Sequence, residues 1–206
     1  MKKLLTTCFT IVVVQLMYSQ ADAMSMINNG NTVVRLSDKL GKTEKNYTGS
    51  PYLFDDFKPS KINNLNTTFP IKYDIYNDSM LLQQGNEIYK FNKDSYNTFI
   101  IDNIKIELIN NTYYIVLAEK NNIKFLKKEI IKLYQKDGTG YSEAISKYTK
   151  QSPEYYIFNK GTLSKLDKNF KNIETILPEY KDQINKNNQE QFKSKELKIT
   201  TLINSL

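Results

Sequence analysis

Carboxylates are the residues of this 206-residue chain best suited to chemistry, and they fall in two pairs, Asp55-Asp56 and Asp74/Asp78. A glycosidase needs only two such groups, one as acid and one as nucleophile or base. The spacing argues against it here. Adjacent strand residues point to opposite faces, and Asp78 falls in a turn, where aspartate serves the backbone. The chain has no histidine, and its single cysteine is Cys8. Serine–histidine and cysteine–histidine nucleophiles are therefore excluded, as are ordinary zinc sites. No Walker or dinucleotide-type glycine pattern occurs. Gly138-Thr139-Gly140 lacks the aspartate of an aspartic-protease signature and reads as a flexible loop. Asn92, Asp94 and Asn97 are rich in oxygen, but the glycine and bidentate glutamate of an EF-hand loop are missing. The reading yields no catalytic residue, no cofactor and no metal ligand, and the protein is expected not to be an enzyme.

Binding chemistry is better represented. Lysine dominates the positive charge, Arg35 is the only arginine, and the net charge is +7. Nucleic-acid readers cluster their basic residues and favour arginine at base edges, so nucleic acid is not an expected partner. Weak attraction to anionic lipid or polysaccharide surfaces fits the charge. Tyr73, Tyr89, Tyr113, Tyr155 and Tyr156 suit pleated surfaces with one wet side. In the segment PIKYDIYNDSMLLQQGNEIYKF (70–91), Ile71, Tyr73 and Ile75 take one face; Lys72, Asp74 and Tyr76 take the other. Lys72 and Tyr76 are thus the candidate binding face.

The elements that must carry these residues are mostly strands. Ahead of them, Lys2 and Lys3 precede the apolar stretch Leu4 to Met17, and Ala21-Asp22-Ala23 forms an A-x-A site. This is the anatomy of a secretory signal peptide over residues 1–23, with Ala21 and Ala23 defining cleavage. Its apolar run is too short to span a bilayer, so no transmembrane segment is expected after cleavage. Cys8 lies inside this segment, with Thr6-Thr7 before it and apolar residues still to follow, which is the wrong place for a lipid anchor. The mature chain then has no disulfide, and a hydrophobic core must stabilise it.

Residues 24–66 read as irregular, with turns at Asn28-Asn29-Gly30 and Gly49-Ser50-Pro51 and one strand near Thr32 to Leu36. Residues 67–166 alternate as short strands between Asn/Asp/Gly turns, which predicts an antiparallel β-meander, either a roll, a curved sheet or a partial barrel. Lys136 to Ser152 reads as an excursion loop. In 167–206, Phe170, Ile173 and Leu177 recur at helical spacing, Pro178 interrupts them, and Tyr180 and Ile184 suit a second helix. Ser194 caps a third with Ile199, Leu202, Ile203 and Leu206 in one stripe. The expected class is α+β, with the helical tail packed on the same domain.

Lys72-Tyr73-Asp74-Ile75-Tyr76-Asn77-Asp78 resembles the R-Y-N-x-Y-N-D segment of uncharacterised exported proteins of Bacteroidota, with Lys72 and Asp74 replacing the usual arginine and asparagine. Gly49-Ser50-Pro51-Tyr52-Leu53 is similar to their G-S-P-Y-L. Glu154-Tyr155-Tyr156 resembles their late tyrosine-rich strand, and Ile184 to Leu206 their helical tail ending in Asn-Ser-Leu. The resemblance implies an architecture and an envelope or extracellular location, and no activity. The expectation is an exported, non-catalytic binding or assembly module whose partner is an envelope protein or surface component. A periplasmic carrier of an apolar ligand is the alternative, and a carboxylate-based carbohydrate-active enzyme the third. The sequence sets no oligomeric state.

Overall fold

The computed structural model describes residues 25, 27, 32–36, 47–63, 65, 67–138 and 145–206. The expected leader, with Ala21 and Ala23, lies outside the described residues. Strand accounts for 48% of these residues and helix for 18%, so the fold is mostly β with a short helical cover rather than an even α+β mixture.

Fourteen strands run in chain order: β1 (Val33–Arg35), β2 (Tyr47–Thr48), β3 (Lys58–Ile62), β4 (Thr68–Asp74), β5 (Ser79–Gln84), β6 (Glu87–Phe91), β7 (Thr98–Ile101), β8 (Ile104–Ile109), β9 (Thr112–Lys120), β10 (Ile123–Lys128), β11 (Ile131–Lys136), β12 (Ile145–Lys150), β13 (Glu154–Asn159) and β14 (Thr162–Lys165). Eleven form one antiparallel sheet in the order β1-β6-β5-β4-β3-β7-β8-β9-β10-β13-β14, and β11-β12-β2 form a small second sheet. Both central residues of the turns Asp102-Asn103, Asn110-Asn111 and Asn121-Asn122 have φ between 48° and 66°. That is the left-handed geometry of two-residue hairpins, which asparagine and aspartate tolerate.

Strand β3 is not expected from the sequence, because Pro59 interrupts a polar stretch. Pro59 faces Pro70 across the β3–β4 pair, while the β3–β7 ladder begins at Ser60 and the β4–β5 ladder at Ile71. Neither missing N–H therefore removes a ladder bond. The expected excursion loop over 136–152 is also corrected. Ile145–Lys150 pairs along its whole length with β11, from Ile131↔Lys150 to Lys136↔Ile145.

The large sheet curls tightly. The rings of Tyr73 and Tyr113 meet edge to face at 5.8 Å, and those of Phe91 and Phe99 at 5.4 Å. In each case four strand steps separate the two strands, about 19 Å in a flat sheet. These rings fill a first core with Phe69, Ile71, Leu82 and Ile106. A bulge then divides the sheet: Phe125 faces Ala118 and Leu126 faces Val116, leaving Leu117 unpaired in β9. Beyond it, Phe125, Ile157 and Ala118 form a second core under the helices α1 (Ile173–Ile176), α2 (Lys181–Asn188) and α3 (Lys195–Ser205). Ser194 caps α3, its hydroxyl accepting from Leu197 N at 3.1 Å. Ile199, Leu202 and Ile203 are buried in the expected stripe. No helix among the described residues is long and apolar enough to cross a membrane.

Candidate interaction surface

The two sequence segments Gly49–Leu53 and Lys72–Asp78 meet. Pro51 O accepts from Ile75 N (2.9 Å) and Tyr76 N (3.2 Å), Leu53 N donates to Tyr73 O (3.0 Å), and Tyr52 bridges Asp74. Lys72 lies over the rings of Tyr52 (4.5 Å) and Phe57 (4.6 Å) and donates to the carbonyl of Asp55. The residues from Gly49 to Phe57 thus cover the face on which Lys72 and Asp74 were expected to be open. Lys72 is held within the molecule, and Asp74 is only 6% exposed. Sequence alternation gave the correct parity, with Ile71, Tyr73 and Ile75 buried. It could not show that a non-adjacent segment covers the other side.

Tyr76 stays 42% exposed, yet its ring meets Tyr148 edge-on at 5.4 Å, and Tyr148 stacks on Tyr47 at 5.4 Å. This aromatic row seats the small sheet. Gly49 completes the seat: it has φ +76°, and a Cβ there would lie 2.4 Å from the carbonyl oxygen of Tyr148. A side chain at Gly49 would need both a strained backbone and displacement of β12.

The register of the small sheet places Ile131, Leu133 and Tyr148 on its inner face. Lys132, Tyr134, Lys136, Ile145, Lys147 and Thr149 stand on the outer face. Tyr134 is 56% and Ile145 49% exposed. Cross-strand pairs are Lys132↔Thr149, Tyr134↔Lys147 and Lys136↔Ile145, so lysines and less polar residues alternate like squares on a board. No carboxylate among the described residues occupies this face. Lys132, Lys136 and Lys147 make no ion pair with any described residue. The sequence marks a strand over Ile130 to Tyr134, whereas Lys136 and the whole cross-strand partner fall within the expected excursion loop.

On the large sheet one group of lysines is neutralised across strands. Lys105 pairs with Glu107 (2.7 Å) and Glu119 (2.6 Å), and Lys124 joins the same two carboxylates. Burial alone would raise Glu119, but hydrogen bonds from Lys105 and Lys124 outweigh it and hold the group below its usual range. The buried Glu129 lies between Lys127 and Lys150, each at 3.1 Å.

The carboxylate pairs have structural surroundings. Both oxygens of Asp74 accept from Asn77, from its N at 2.9 Å and its Nδ2 at 2.8 Å. Asp78 accepts from Tyr73 Oη (2.8 Å), Tyr113 N (3.2 Å) and Lys93 Nζ (2.5 Å). Asp55 and Asp56 lie in the covering segment. Asn92 and Asp94 line a cleft of about 560 Å³, shared with Asp78, Lys90 and Lys93; Asn97 is not among its lining residues. Among the described residues no group of three or more acidic, histidine or cysteine side chains could hold a metal. A second cleft, about 720 Å³, opens where Tyr155, Leu166 and Phe170 meet the start of α3.

Comparisons with protein-family models, curated proteins and solved structures find no significant match. The reading of function rests on the chain itself.

Proposed function

We propose that this is an exported, non-catalytic binding module of the cell envelope, a β-roll with a helical cover whose recognition surface is the outer face of β11 and β12. The carrying observation is the unpaired set Lys132, Lys136 and Lys147 around exposed Tyr134, on a sheet that the Tyr47–Tyr148–Tyr76 row holds against the roll. Like charges on one sheet face destabilise it, and on the large sheet Lys105, Lys124, Lys127 and Lys165 each sit beside a glutamate. An aromatic anchor among desolvating neighbours is the usual centre of a binding surface. The leader reading supports export, and the resemblance to exported Bacteroidota proteins supports the same compartment.

Envelope fractions passed over the immobilised protein test this. Tyr134→Ser with Lys147→Gln is expected to abolish capture of envelope material while leaving the melting temperature within a degree or two. Unchanged capture would overturn the assignment of this face.

A carrier reading draws on the cleft beside Tyr155, Leu166 and Phe170. The space between sheet and helices is itself filled by Phe125, Ile157, Leu177, Leu202 and Ile203, all fully buried. An apolar ligand would therefore sit at the edge of that core. Native mass spectrometry of the purified protein separates the two readings, since a carrier would retain a bound lipid.

A further inference from the structure

The geometry points to an anionic phospholipid surface as the partner of the β11–β12 outer face, an inference that rests on the reading of that face as the recognition surface.

Two features of the face must be satisfied together. The first is charge. Lys132, Lys147 and Lys136 form a zigzag, with Lys147 diagonal to each of the other two. Diagonal neighbours on a sheet lie about 7–8 Å apart. No described carboxylate answers them. Lysine on an edge strand can serve merely to block edge-to-edge pairing. That accounts for Lys132 and Lys136 on β11, which is an edge of the small sheet. It does not account for Lys147, because β12 is the central strand, between β11 and β2.

The second feature is apolar. Ile145 and Tyr134, 49% and 56% exposed, occupy the squares between the lysines. Charge shielding alone gives no reason to expose them there. A polysaccharide can stack on tyrosine and pair with lysine, but it offers nothing to an aliphatic isoleucine. An anionic bilayer offers phosphate and hydrocarbon within a few ångströms of depth. Lysine stems reach to the phosphates, tyrosine sits at headgroup level, and a branched aliphatic enters the acyl boundary. Each lysine near such a surface is worth roughly fivefold in affinity, so three compound to on the order of a hundredfold. The association is reversible and screened by salt.

The test is co-sedimentation of the protein, in the form the cell produces, with vesicles of phosphatidylcholine alone or containing phosphatidylglycerol. Binding to the anionic vesicles is expected to be tens of times or more stronger, and to fall steeply with salt. Lys132→Gln with Lys136→Gln and Lys147→Gln should reduce it to the phosphatidylcholine level. A control with Lys61→Gln, Lys90→Gln and Lys193→Gln removes the same charge from scattered exposed positions and should cost at most a few-fold. Ile145→Ser should weaken binding several-fold at unchanged charge. Circular dichroism melts establish that each variant is folded.

Equal losses in the two triple variants would mean net charge alone, and would overturn the proposal. So would equal binding to both vesicle types. A polyuronate offered in parallel separates the two levels of the account. Binding to it that depends on Lys147, without vesicle binding, would overturn the lipid assignment and leave the recognition face standing. Loss of neither ligand in the face variant would remove both.

Discussion

The hydroxyl of Tyr73 donates to Asp78 Oδ1 at 2.8 Å, across the tip of the hairpin that joins β4 to β5. Through the same carboxylate, Tyr113 N and Lys93 Nζ tie the β8–β9 turn to that tip. Lys93 also donates to Asn111 O at 2.7 Å. Asp78 thus holds one end of the roll closed, from a left-handed position with φ 47°. Asp78→Asn keeps that backbone tolerance and one acceptor but removes the charge facing Lys93. It should cost about 2 kcal/mol, or about 4–8 °C in Tm. A thermal melt unchanged within a degree would show that the closure does not depend on this charge.

Asp74 behaves differently because its partner is a single residue. Asp74→Ala removes the acceptor of both Asn77 bonds at a part-buried turn, and about 1 kcal/mol is the expected loss. Asp74→Asn should be milder, since the Asn77 amide can turn to accept. Ile75→Asp, placing an unpaired charge in the first core, should unfold the domain. Chemical denaturation of the three variants should rank them in the order isoleucine, alanine, asparagine variant, from most to least damaging. A different order would contradict the burial assigned here.

Burial, reinforced by Asp78, raises the phenols of Tyr73 and Tyr113 well above their usual range. Burial also raises Tyr155 and Tyr156, with Glu196 and Glu154 adding to it. A raised folded-state pKa means that, as pH climbs past 10, the unfolded chain releases these protons first. It then binds fewer protons than the folded chain, so stability is intact below pH 10 and falls above it. Phenolate absorbance should therefore show only part of the 15 tyrosines ionising while the fold persists. The remainder should ionise together with loss of the circular dichroism signal. Smooth titration of all of them with the fold intact would be the contrary result.

Gly49→Ala places a Cβ against the carbonyl of Tyr148 and forces an L side chain into φ +76°. The expected cost is about 1–3 kcal/mol in strain alone, concentrated on the seat of the small sheet. Limited proteolysis should then cut first within 131–150 while the roll resists. Global unfolding with no earlier cut there would show that the small sheet is not separately seated.

Most strands of the roll were legible because one face is buried and the turns need left-handed residues: Asn110-Asn111 and Asn121-Asn122 mark their hairpins without tertiary information. The Ser194 cap and the Ile199–Leu202–Ile203 stripe were equally local. What escaped was non-local. Covering of Lys72 by Tyr52 and Phe57 spans a long stretch of chain and leaves no periodic trace. The strand Ile145–Lys150 alternates weakly in sequence, since its inner face carries the polar Ser146 and Lys150 beside Tyr148 while its outer face carries Ile145. The outer-face lysines become a cluster only once β12 pairs with β11, whereas Lys72 and Tyr76 share a face by local alternation alone.

The central claim is that a partner meets the protein at the outer face of β11 and β12. Amine-reactive footprinting with and without native envelope membranes, read by mass spectrometry, tests it most directly. Lys132, Lys136 and Lys147 should lose reactivity several-fold on addition of the membranes, while Lys61, Lys90 and Lys193 keep theirs. Protection at the scattered lysines with Lys132, Lys136 and Lys147 still reactive would contradict the account.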